Sequence, residues 1–155
     1  MDAAFSLAAA VEASAFGQAM RASIWLYPLA NLVHVLGAAL VVGASATFDV
    51  AVLRGDRASR FVLRAGIPLA ALGLALQLVT GVALFAAEAG PLMRNPAFLA
   101  KLAFIAVGVA NIAVFHAVLN PRAQRPLPKG ARVAAAVSLL AWAGALLLGR
   151  AIAYV

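Results

Sequence analysis

Apolar residues fill this chain in long runs, and polar residues gather in the gaps between them. Four runs, at 24–52, 66–87, 97–119 and 133–154, each reach the roughly 20 residues a helix needs to cross a bilayer core. Pro91 and Pro96 punctuate the joint between the second and third runs. Pro121, Pro126, Pro128 and Gly130 punctuate the next joint. Such short connections allow only antiparallel neighbours, so the pattern predicts an all-α integral membrane four-helix up-down bundle. Residues 1–23 stand apart from the 24–155 bundle. They carry Asp2 and Glu12 and lack the basic start and cleavage site of a secretory leader. The expectation there is a short N-terminal interfacial helix with Phe5, Phe16 and Met20 towards the lipid.

Composition agrees. Of 155 residues, 66% are hydrophobic and 11% charged, with a mean hydropathy of +1.03. A soluble domain of this size cannot bury so much apolar surface, which leaves lipid as the solvent. The formal charge of +7 would suit a nucleic-acid partner if it formed one face, but it sits in short loops and excludes that class. Arg54, Arg57, Arg60 and Arg64 occupy the first loop, and Arg122, Arg125, Lys129 and Arg132 the third, while the second holds only Arg94. The positive-inside rule then puts loops one and three in the cytoplasm and both termini in the periplasm of a bacterial inner membrane. Trp25, Tyr27 and Tyr154 fit an outer aromatic belt. The absence of cysteine excludes disulfides, thiol catalysis and c-type haem attachment.

Polar side chains inside a membrane are costly, and each marks a functional candidate. Counted from the outer face at about 1.5 Å per residue, His34 lies roughly 15 Å deep, with Gln77 and Thr80 near its level. Lys101 and Arg150 are shallower, and Glu88 marks the outer end of the second run. Asp49, Asn111 and His116 belong to the inner half, where Asp49 is expected to pair with Arg54, Arg60 or Arg64. The two histidines differ in depth by roughly 15 Å, too much to share one iron. His34 alone suits an axial ligand of b-type haem. Gly37, one turn on, would leave room beside a macrocycle, and Lys101 and Arg150 lie where haem propionates would point. Met93 is a candidate second ligand. The competing reading makes His34 a polar pin bonded to Asn31, Gln77 or a carbonyl, with both cations snorkelling to the interface. The recurring glycines (Gly37, Gly43, Gly73, Gly81, Gly108, Gly144 and Gly149) let helices approach closely in lipid.

The motif YPLANLVHVLGAALVVG, followed by TFDVAVLRG, resembles the first span of a family of small four-helix bacterial inner-membrane proteins. More distantly, the layout is similar to copper-resistance-D (CopD) membrane domains and HemJ-type protoporphyrinogen oxidases. The shared positions are His34 with Gly37 and Gly43, Arg60, the pair Thr80-Gly81, and Lys101 within FLAKLAF. The resemblance implies haem binding at His34. LGAALVVG stands where HemJ-type spans carry tryptophan and glycine after the histidine, and outer segments rich in methionine and histidine, which copper handling needs, are absent.

The leading expectation is therefore a haem b protein passing electrons near the outer leaflet, to or from quinone, with His34 as the metal ligand and Gly37, Lys101 and Arg150 around the cofactor. The alternatives are a cofactor-free accessory or anchor subunit of a larger membrane complex, and a HemJ-like porphyrinogen oxidase. Whether the chain is an enzyme stays open, and no residue is assigned as catalytic. Its expected partners are the bilayer, quinone or a larger complex, and further copies of itself.

Overall fold

A computed structural model describes residues 2–56, 59–119 and 130–155. Arg57, Arg122, Arg125, Lys129 and the three prolines of the third loop lie outside them. The described residues form helices α1 (Asp2–Ala13), α2 (Ala15–Ala22), α3 (Leu26–Arg54), α4 (Ser59–Ala87), α5 (Ala89–Arg94), α6 (Pro96–Leu119) and α7 (Gly130–Ala151). A closing 3₁₀ turn covers Ile152–Tyr154, and there is no strand among them. Four helices are long and apolar enough to cross a membrane, which makes this a multi-pass membrane protein with a helical-bundle fold.

The helix that carries the second span begins at Ser59, ahead of the apolar run at 66–87. Arg60 and Arg64 interrupt the hydropathy without interrupting the helix, because a charged side chain leaves the backbone hydrogen bonds intact. Gly55, at φ 76°, closes α3 in the left-handed conformation that glycine adopts without strain. Its N–H and that of Asp56 bond back to the carbonyls of Val52 and Ala51. At the start of α6, Pro96 takes the first helical position, where its missing N–H costs nothing. The preceding Asn95 accepts from the Phe98 N–H at 3.0 Å and donates to the carbonyls of Ile152 and Val155. This residue therefore caps α6 and fastens the end of α7 beside it.

Around the bundle the order is α4, α3, α7, α6, each packing on the next, with α4 and α6 closing the ring without backbone contact among the described residues. All neighbours are antiparallel. We call the end carrying both termini and α5 the terminal pole, and the end where α3 leads to α4 and α6 to α7 the loop pole. Gly37 and Gly73 set the closest approach: a Cβ on Gly73 would lie 2.7 Å from the Gly37 carbonyl oxygen, so only hydrogen fits there. Near the loop pole Phe48, Val52, Leu63, Phe115, Ala131 and Ala135 form a core. Its Phe48 and Phe115 rings meet edge to face at 5.2 Å. Leucines and valines such as Leu32, Leu78 and Leu147 point outwards, as lipid-facing positions require.

The N-terminal segment differs from expectation in two respects, its division and the place of Met20. It is two helices, broken at Ser14, whose hydroxyl caps α2 by accepting from the Gly17 N–H at 3.1 Å. Glu12 accepts from the Gly90 N–H at 2.7 Å, and Arg21 donates to the Ala87 and Glu12 carbonyls at 2.8 Å each. These bonds tie the hairpin across the ends of α4 and α5 and turn Met20 into the protein, where it is 2% exposed. Phe16 does face outwards, and the Phe5 ring lies beneath the Arg94 guanidinium at 5.9 Å.

Candidate functional site

The glycine approach of α3 and α4 brings His34 against Thr80. His34 Nδ1 is 2.8 Å from Thr80 Oγ1, and the Thr80 hydroxyl donates to the Leu76 carbonyl one turn back at 2.5 Å. Since that hydroxyl has one hydrogen and it is already used, Thr80 accepts and His34 Nδ1 donates. The network thus assigns the tautomer: Nδ1 carries the proton and Nε2 carries the lone pair. Gln77 adds a second tie by donating to the His34 carbonyl at 2.8 Å. Gly81 lies beside the ring, and a Cβ there would sit 3.4 Å from Cε1.

Nε2 points towards α6, where Lys101 Nζ is 3.5 Å away. Lys101 reaches this position along α7 at Gly149, where an added Cβ would come within 3.4 Å of Nζ. The seam between α4 and α6 is bridged at the terminal pole by the stacked rings of Phe85 and Phe98, 5.9 Å apart. His34, Thr80, Gly81 and Lys101, separated widely in sequence, therefore meet at one level.

The other expected site residues go elsewhere. Gly37 abuts Gly73 and serves the helix approach, so the space beside it is filled by α4. Arg150 is exposed, hydrogen-bonds Tyr154 and lies 4.7 Å over its ring. Asn31 is exposed and is not among the partners of the imidazole. Met93 belongs to α5, at the same pole. His116 is 15 residues beyond Lys101 on α6, about 22 Å of helix, which separates it from the His34 level.

Asp49 meets Ser138 where Arg54 and Arg64 were two of its three expected partners. It is 2% exposed, and its carboxylate accepts from Ser138 of α7. Neither Arg54 nor Arg64 forms an ion pair with it among the described residues; the Arg60 side chain lies outside them. The α3–α7 packing turns Asp49 into the bundle, whereas Arg54 and Arg64 point out of it. Ser138 and Trp142 are functional candidates that sequence reasoning passed over. A usable signal existed for Trp142, since a tryptophan in the middle of a span is far from the interfaces where the residue concentrates.

No protein-family model matches this chain, and comparison with curated proteins and with solved structures gives no match.

Proposed function

We propose that this chain is a small b-type haem protein of a bacterial inner membrane, passing electrons near the outer leaflet, with His34 Nε2 as axial ligand. The observation that carries this reading is the state of the imidazole. Nδ1–H is anchored by Thr80, whose own hydrogen is committed to Leu76, and Nε2 keeps its lone pair towards the α4–α6 seam. Metal-ligating histidines are held in this manner, with the second ring nitrogen bonded to a neighbour that fixes tautomer and orientation. A bound haem would supply one-electron exchange.

The chain's own residues do the positioning. Thr80 aims the ring, Gln77 holds the α3 backbone at that level, and Gly37 with Gly73 fixes the helix spacing. Because Gly37 is closed off by α4, His34 would hold a haem from the α6 side, where its Nε2 faces. The flexible Lys101 stem lets its ammonium withdraw towards the terminal pole and pair with a propionate, and Arg150 offers a second cation there. Eight of the 12 basic residues belong to the loop-pole ends and connections, which supports a cytoplasmic loop pole and periplasmic termini. Haemin titration in detergent tests the ligand assignment: the wild type saturates with a Soret band, and His34→Ala does not. No band with either protein would leave the accessory-subunit reading standing.

The proximity of Lys101 to His34 favours one second reading, a HemJ-like porphyrinogen oxidase, because it puts a proton-carrying amine beside the site. Loss of protoporphyrinogen oxidation in Lys101→Met, with haem retained, would support it. An electron carrier without that activity would exclude it.

A further inference from the structure

A cavity of about 250 Å³ lies in the loop-pole half, with walls from all four spans. On α3 it runs from Val41 to Asp49 and on α7 from Ala134 to Trp142, eight residues apart in each case, or about 12 Å along the bundle axis. Spread over that length, the volume is a channel about 5 Å across, parallel to the helices. A helix, about 10 Å across with its side chains, is too wide to enter. One methylene chain, whose carbons stand about 4 Å from their neighbours, fits.

The channel asks for hydrocarbon. Asp49 Oδ2 and Trp142 Nε1 are shut away from it, Ser138 serves the other Asp49 oxygen, and the Asn111 amide donates to the Ala134 carbonyl at 3.1 Å. Of the side chains on its walls, that leaves the Ser45 hydroxyl and the Asn111 carbonyl oxygen, enough for a single water of about 30 Å³. The rest is apolar, and apolar space of this kind stays dry and takes apolar ligands. The α4–α6 seam, where the two helices make no backbone contact among the described residues, opens the channel sideways to the bilayer. At the terminal pole the stacked Phe85 and Phe98 rings close that seam, so a chain enters from the loop-pole leaflet.

Charge selects the headgroup. Arg64 is exposed and follows Leu63, which lines the channel. Phe85 marks the α6-facing side of α4, and Arg64, 21 residues earlier, lies about 60° from it around the helix. It therefore stands at the loop-pole lip of the seam, the pole that holds eight of the 12 basic residues. Basic openings between spans hold anionic headgroups. We infer that one acyl chain of an anionic phospholipid from the loop-pole leaflet occupies this channel and closes the bundle between α4 and α6. The chain lies against Gly66 and Ala70, and the phosphate meets Arg64. This lipid site goes beyond the haem reading and does not depend on it.

The test uses the full chain, delipidated in maltoside detergent, with Trp25, the only other tryptophan, changed to phenylalanine so that emission reports Trp142 at the channel wall. Phosphatidylglycerol brominated in mid-chain is titrated, since bromine quenches only on close approach. Saturable quenching is expected in the Trp25→Phe parent. Half-saturation should rise at least tenfold in Ala70→Phe, which fills the channel. It should rise about fivefold in Arg64→Gln, the worth of one basic residue beside an anionic headgroup. Should Ala70→Phe not fold, Arg64→Gln, a surface change, carries the comparison. Brominated phosphatidylcholine should bind the parent as weakly as phosphatidylglycerol binds Arg64→Gln. Linear quenching, alike in parent and variants, would mean ordinary contact with surrounding lipid and would overturn the proposal. So would equal saturation by the two headgroups. A parent that is dimeric by light scattering and unquenched by either lipid would also overturn it, and would make a second copy the occupant.

Discussion

Near the terminal pole His34, Thr80 and Gln77 each have a partner on another helix or one turn away; near the loop pole Asp49 Oδ2 and Trp142 Nε1 have none. Both sets draw on α3, the first where it packs on α4 and the second where it packs on α7. The contrast separates two uses of polarity in a membrane. Where every bond is made, the side chains orient one another and turn the Nε2 lone pair towards Lys101 of α6. Where bonds are unmade, the polar atoms are shut away from solvent and partner alike. A small bundle can hold both because its glycine crossing is tight between α3 and α4 while its seam between α4 and α6 is loose.

The terminal-pole half should break most visibly at Thr80. Thr80→Val removes the acceptor that fixes the tautomer, and haem affinity should fall about 10–100-fold, the usual cost of losing an outer-shell partner. Thr80→Ser should restore most of it, which a haemin titration of the three proteins would read. An unchanged affinity in the valine variant would detach Thr80 from the ligand.

Next in size is the crossing beneath both regions. Gly73→Val places atoms where even a Cβ would be 2.7 Å from the Gly37 carbonyl oxygen, and overpacking of this kind costs about 1–3 kcal/mol. Thermal unfolding in detergent should show the loss, together with weaker haem binding as Thr80 moves from His34. Gly43→Ala, where nothing lies within 4 Å, is the matched control and should leave both readouts unchanged.

The smaller effects set paired against unpaired groups directly. Gln77→Leu removes an interhelical bond that a membrane protein values at about 0.6 kcal/mol. Trp142→Phe removes a donor that has no partner, so its cost, about 1 kcal/mol or more, should come from the ring atoms packed beside Gly108. No loss in Gln77→Leu in denaturant titrations would detach that bond from the completed half.

Much of this was legible in the sequence. Hydropathy alone located four spans, and rise per residue put His34, Gln77 and Thr80 near one depth, with Lys101 shallower. Their meeting needed no more than correct helix pairing. What the sequence did not carry was the order around the ring, because α4 and α6 are apolar on nearly every side and show no stripe that selects a neighbour. Asp49 was assigned to arginines for that reason: its partner Ser138 is on α7, which only the packing of α3 on α7 reveals. Met20 was assigned to lipid on the hydrophobicity of its segment, while the bonds of Glu12 and Arg21 that turn it inwards depend on the ends of α4 and α5.

The proposed orientation, with the loop pole in the cytoplasm, can be tested on its own. Since the chain has no cysteine, Gln18→Cys and Asp56→Cys, both exposed, can each be labelled alone in intact cells with an impermeant maleimide. Labelling is expected at position 18 and not at 56 until the membrane is opened. The reverse pattern would turn the His34 site towards the cytoplasm.

The most direct test of the central claim is a reduced-minus-oxidised visible spectrum of the protein purified in detergent from cells supplied with haem precursor, beside His34→Ala expressed to the same level. The account predicts a Soret band with sharp α and β bands in the wild type and their loss in the variant. A colourless wild type, or a spectrum that His34→Ala leaves intact, would contradict it.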